Sequence, residues 1–208
     1  MHRKFNYRTS TRLAALSVAF MALASSATQA SSSFVESVSG DLSNDSARPT
    51  PLTFTPGSNT VAGRMGIPPG GAVDPDFFTF TIAPGTFLSQ INLTQYMPDG
   101  SAGSALNGSF FAIASGTSIN TGNPGLHLSN RLVPAIGDIL PGLAVGPTFG
   151  GTGLAAQPGA GTYTVWFQET ATTVAYTLDF VVTPVPEPTT LAVVFGASGL
   201  LLRRRIRA

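Results

Sequence analysis

The sequence predicts an all-β domain, an antiparallel β-sandwich of jelly-roll-like type, flanked by an apolar helical segment at each end. Three observations predict it. Between Ser31 and Pro184 apolar residues recur with period two; the stretches are punctuated by Gly, Pro, Asn and Asp; and no window there carries a capped 3.6-residue stripe. Fourteen Phe, four Tyr and one Trp supply the bulk for one core, and about 150 residues suffice for a self-supporting sandwich.

The strands follow in order. In the segment from Asp74 to Ile82, Phe78, Phe80 and Ile82 share one face, with Phe77, Thr79 and Thr81 opposite. Pro84-Gly85 supplies a turn, after which Ser89, Ile91 and Leu93 alternate. Phe111 and Ile113 oppose Phe110, Ala112 and Ala114; Tyr163, Val165 and Phe167 oppose Thr162, Thr164 and Trp166. The last run puts Tyr176, Leu178, Phe180 and Val182 inward, with Thr177, Asp179 and Val181 outward. Leu132 to Val145 is apolar but broken by Pro134, Gly137, Pro141 and Gly142, which predicts a long loop crossing between strands, with room for one helical turn.

The formal net charge of +1 hides an uneven distribution. Between Ser31 and Pro184, Arg48, Arg64 and Arg131 face nine carboxylates, three against nine, so that segment carries −6. Such a surface repels phosphate backbones and excludes nucleic-acid binding. The chain has no cysteine, which removes disulfides, thiolate nucleophiles, Cys-ligated zinc and iron–sulfur clusters.

The remaining basic residues mark the two ends. Arg3, Lys4, Arg8 and Arg12 precede an apolar stretch, Leu13–Ala24, and small residues then lead to Ala30. This is the pattern of a secretory signal peptide over residues 1–30, cut after Ala30, with Ala27 the second choice. Twelve apolar residues fall short of the ~20 of a membrane span. At the other end Thr189–Leu202 is uncharged; as a helix its 14 residues reach ~21 Å against ~30 Å of hydrocarbon. Arg203, Arg204, Arg205 and Arg207 hold that end in the cytoplasm and leave the body outside, as expected of a temporary anchor.

Pro186-Glu187-Pro188, an apolar helix and a terminal arginine cluster, in that order over residues 185–208, resemble the PEP-CTERM sorting signal of bacterial exported proteins. The resemblance implies export by the general secretion machinery of a Gram-negative bacterium and transient anchoring in the inner membrane. An exosortase, a membrane-embedded cysteine transpeptidase, would then recognise Pro186, Glu187 and Pro188 and process the tail, in cells that make exopolysaccharide and biofilm matrix. Within the body, Asp74-Pro75-Asp76-Phe77-Phe78-Thr79-Phe80 with its following turn, and Gly159–Val165 followed by Tyr176–Phe180, resemble the bacterial pre-peptidase C-terminal domain. That resemblance implies a jelly-roll-like sandwich akin to carbohydrate- and collagen-binding modules.

Asp74 and Asp76 flank a proline just ahead of a strand and are candidate calcium ligands, with the oxygens of Gly40–Asp45 joining them if that segment lies nearby. Asx-turns are the competing reading of those residues. Calcium is the sole candidate cofactor, and a calcium-stabilised accessory domain of a secreted enzyme is one alternative reading of the body. His127 is the only histidine of the body, too few for a multi-histidine zinc centre and without a persuasive triad, and is expected in a turn or at the surface. Glu169 and Asp179 are the carboxylate candidates for a rival glycosidase reading. Trp166 and Phe77 would stack on sugar rings if they lay on an outer face. The loop Gly146–Gly161 lacks the Lys-Ser/Thr and helix of a phosphate cradle, and the sequons at Asn92 and Asn107 are incidental in a bacterium. The expectation is a non-enzymatic surface or matrix protein, a structural or adhesive module with exopolysaccharide as its candidate ligand.

Overall fold

The computed structural model describes residues 31–99, 109–133 and 136–186. Two five-stranded sheets pack face to face. The first has the order β1 (Ser32–Val35), β3 (Gly57–Met65), β10 (Val174–Pro184), β5 (Thr86–Pro98), β8 (Gly137–Asp138). The second has the order β2 (Thr50–Pro51), β4 (Asp76–Ile82), β9 (Gly161–Gln168), β6 (Ser109–Ser115), β7 (Ser129–Val133). The all-β sandwich expected from the alternation is thus present. Its pairing is antiparallel except at two edges, where β1 runs parallel to β3 and β2 parallel to β4.

The inward faces are those the period-two pattern marks. Phe78, Phe80, Ile82, Phe111, Ile113, Val165, Phe167, Tyr176, Leu178, Phe180 and Val182 belong to one buried cluster between the sheets. Alternation fails in β5. Against β10, Val181 pairs with Gln90 and Val182 with Leu88, so Ser89 is bulged out of register. Leu88 therefore takes the inward place expected of Ser89, and the Ser89 hydroxyl donates to Val181 O at 3.0 Å. A second bulge leaves Thr94 unpaired, its hydroxyl donating to Thr177 O.

The stretch from Leu132 is more ordered than a crossing loop. It finishes β7, forms β8, and enters α2 (Leu140–Val145), whose early Pro141 costs no hydrogen bond there. Buried Leu140 and Leu143 cap the core, and Ser129 Oγ donates to Leu143 O at 2.8 Å, covering the open edge of β7. Among the described residues no helix is long and apolar enough to cross a membrane. Ala30, Glu187, Pro188, Arg203, Arg204 and Arg205 lie outside the described residues, while Pro186 is exposed just beyond β10.

Candidate metal centre

One end of the sandwich collects acidic side chains from three separate segments. β1 leads directly into α1 (Glu36–Ser39), which delivers Glu36 to the rim beside Gly63 and Arg64 of β3. Glu36 is fixed there by two backbone donors: Leu42 N to Oε1 at 3.0 Å and Arg64 N to Oε2 at 2.6 Å. Asp41 follows the turn at Gly40 and is held by burial of Leu42 and by the bond from Phe77 N to Ser43 O. Asp74 closes the loop from Gly66 through a reciprocal backbone pair, 2.7 and 2.8 Å. Gly66 has φ +116, and a Cβ there would sit 1.9 Å from Thr172 O, so only glycine fits. Asp76 opens β4 with its side chain on the inward face, in line with Phe78 and Phe80.

Glu36, Asp41 and Asp76 each bring a carboxylate oxygen to within 4.8 Å of the others. Asp76 is fully buried, and neither of its oxygens has a hydrogen-bond partner; nor does Asp74 Oδ1 or the hydroxyl of buried Tyr176. Each orphaned buried polar atom costs ~1–3 kcal/mol, so four together at one spot demand a reason. Gly63 shows how closely the groups converge. It has ordinary strand backbone, yet a Cβ on it would lie 2.8 Å from Glu36 Oε2 and 2.9 Å from the Tyr176 hydroxyl.

The electrostatics agree with the geometry. Burial, then the negative charges of Glu36, Asp74 and Asp41, push the Asp76 carboxyl up to about 9; the Tyr176 hydroxyl beside it works in the opposite sense, though without the geometry of a hydrogen bond. Burial raises Glu36 as well, with Asp41 and Asp74 adding to it and its two backbone donors opposing. Asp41 is raised by burial and by Asp74, and Tyr176 by burial and by Asp76. The Arg64 guanidinium, at the rim, pairs with Asp99 instead. The site is therefore a concentration of carboxylates with no basic partner, where without a cation the Asp76 carboxyl keeps its proton near neutral pH.

An all-oxygen, irregular donor set suits calcium, which takes six to eight oxygens at 2.3–2.6 Å in flexible geometry. Two oxygens on one such ion lie no more than ~5 Å apart, and the three carboxylates meet that limit. Asp76 and Asp41, with Glu36, would hold the ion; Asp74 stands close enough to raise all three.

The sequence placed Asp74, Asp76 and the Gly40–Asp45 segment here; the structure brings Asp41 of that segment to Asp76, while Asp74 stands outside the trio of converging oxygens. Asp45 does not join: it accepts from Ala47 N and pairs with Arg48, the Asx-turn reading. Glu36 was missed, because a lone glutamate after four strand residues carries no motif; only the parallel docking of β1 brings it to the site.

The other candidates are used by the fold. Glu169 is buried, accepting from Thr170 N, Ala171 N and the Ser109 and Tyr96 hydroxyls. Asp179, in the opposite sheet, accepts from Ser58 Oγ and Asn59 N. The two share no partner. His127 is not a surface residue but fully buried: Nε2 meets Asn120 O at 2.7 Å and Nδ1 meets Asn130 Nδ2 at 3.2 Å. The reason is a loop pack on the outer face of the second sheet, where Phe77, Phe110, Trp166 and Ile119 form a second apolar cluster. Phe77 is buried in it and cannot stack on a sugar, whereas Trp166 keeps a partly exposed edge. No family model and no curated protein matches the chain.

Proposed function

We propose that this protein is an exported, non-enzymatic surface or matrix module whose β-sandwich is locked at one end by a calcium ion. Glu36, Asp41 and Asp76 hold the ion, and Asp74 adds to its field. Bound calcium neutralises carboxylates that otherwise repel one another, and ties the segment carrying Glu36 and Asp41 to β4. The observation that carries this reading is Asp76: a fully buried carboxyl with both oxygens orphaned and two more carboxylates within 4.8 Å. The delivery half of the proposal rests on the signal peptide and on the likeness of residues 185–208 to an exosortase-processed tail.

Calcium titration by calorimetry, with thermal melts of the same chain, tests the binding. A site at one hundred times its dissociation constant gains ~2.7 kcal/mol, or a rise of roughly 5–11 °C for a domain of this size. EGTA should reverse it. No heat and no shift at millimolar calcium refutes the proposal. Replacing Pro186-Glu187-Pro188 with alanines, followed by fractionation, tests delivery; unaltered surface arrival removes that half.

A further inference from the structure

A cavity of about 660 Å³ opens beside the acidic cluster, where β3 and β10 end at the rim of the sandwich. Glu36, Asp41, Asp74 and Tyr176 line its inner wall, while fully buried Asp76 lies beneath. Small side chains, Ala62, Ala175 and Thr177, make the floor, and Arg64, Gln95 and Asp99 stand at the rim. The volume is within the ~300–1,000 Å³ of small-ligand sites.

We infer that the metal presents an exchangeable face to this cavity and there takes a neutral polyhydroxylated ligand, a glycan offering a vicinal diol. The inference rests on the calcium reading above. Two observations beyond the acidic cluster point to an occupant: the orphaned hydroxyl of Tyr176, fully buried beside Asp76 and converging on Gly63 with the Glu36 carboxylate, and the cavity itself.

Coordination number comes first. Glu36 already accepts two backbone N–H bonds, one on each oxygen, so its capacity for metal is reduced. Three carboxylates then fall short of six to eight ligands unless all bind through both oxygens. Because Asp76 closes the buried side and Glu36 and Asp41 border the cavity, the vacant positions face the cavity.

Charge selects the ligand. Five carboxylates gather here, Glu36, Asp41, Asp74, Asp76 and Asp99, against one cation, Arg64. One calcium leaves the neighbourhood net negative, which repels a uronate or phosphate. Ammonium and guanidinium groups have no lone pair for the metal. Neutral hydroxyls have lone pairs and add no charge, and Gln95, Thr177 and the Arg64–Asp99 pair can hydrogen-bond the remaining ones. The position suits such a partner. Ser32 pairs with Asn59 and Val182 with Gly57, so both described termini leave from the opposite end. From Tyr176 to Pro184 is eight residues of strand, ~26 Å. A chain tethered through its C-terminal segment holds the cavity outward.

Europium(III), an oxygen-seeking luminescent substitute for calcium, gives the test. Its decay in H2O and D2O counts metal-bound water in the purified chain. The inference requires about two or more bound waters, a loss of about two on adding soluble yeast mannan or dextran, and no loss with polygalacturonate. Gln95→Ala should leave europium affinity unchanged and weaken mannan at least about fivefold. Europium bound without water, or water that neither neutral polymer displaces, overturns the inference and leaves the calcium reading intact. Binding of polylysine with the water count unmoved overturns it in favour of a cationic protein partner. Failure of europium and calcium to bind at all defeats the calcium reading itself.

Discussion

Adding a single methyl group at Gly63 puts a carbon 2.8 Å from both Cδ and Oε2 of Glu36 and 2.9 Å from the Tyr176 hydroxyl. Non-bonded heavy atoms prefer ~3.5 Å or more, so in Gly63→Ala the Glu36 carboxylate must retreat by roughly 0.7 Å. The calcium–oxygen window is only ~0.3 Å wide, and one charged ligand is therefore lost or badly stretched. A tenfold loss of affinity corresponds to ~1.4 kcal/mol, and that is the smallest effect expected. The calcium-free protein should separately lose ~1–3 kcal/mol of stability from weakening the Leu42 and Arg64 backbone bonds to Glu36. Gly63 has no positive φ, so β3 itself accepts alanine. Calorimetric titration with calcium, beside melting curves with and without it, separates the two effects. Glu36→Gln, which keeps the shape and removes the charge, should move affinity in the same direction. A Gly63→Ala protein whose calcium affinity stays within about twofold of wild type would refute the reasoning, since the three groups would not then share one ion.

Asp76→Asn should abolish the calcium-dependent rise in melting temperature while leaving the calcium-free protein at least as stable near neutral pH. The pH dependence follows from the same side chain. Its carboxyl is raised from 3.8 to about 9 in the fold, so the stability it contributes is whole below pH ~4 and is lost as pH climbs through about 9, by at most ~1.4 kcal/mol per unit. Urea midpoints of the calcium-free protein should fall across that window, flatten in Asp76→Asn, and recover with calcium; a midpoint that rises contradicts the assignment. Glu169→Ala should cost ~2–4 kcal/mol by stranding the Ser109 and Tyr96 hydroxyls and two backbone donors, with calcium affinity unchanged in titration. Asn130→Ala removes the side chain that bonds Pro124 O, Gly150 O, His127 Nδ1 and Phe149 N together, and should expose the 120–151 loops to limited proteolysis while the sheets persist.

Alternation made the sheets legible because a two-sided strand advertises its core face at every second residue, as in Phe78, Phe80 and Ile82. Where a hydroxyl satisfied the backbone locally, at Ser89 and Thr94, the pattern slipped by one and a bulge resulted. The candidate metal centre was half legible. Asp74 and Asp76 stand out by adjacency to a strand, and Asp41 by its Gly-Asp turn. Glu36 and Gly63 do not, because their roles arise from a parallel pairing across 27 residues of chain. Burial of His127 and Phe77 was equally hidden: the outer face of a sheet reads as solvated until loops distant in sequence are seen to cover it.

The middle place in each sheet belongs to β10 and β9, the last two of the described strands in chain order. Until residues 161–184 are present, β3 and β5 have no common neighbour, and β4 and β6 have none either. Neither half of the sandwich can close early, and such long-range pairing folds slowly. A chain emerging N-terminus first thus leaves both sheets open until residues 161–184 have followed. Closure of both sheets is then a single late step, set by the arrival of β9 and β10.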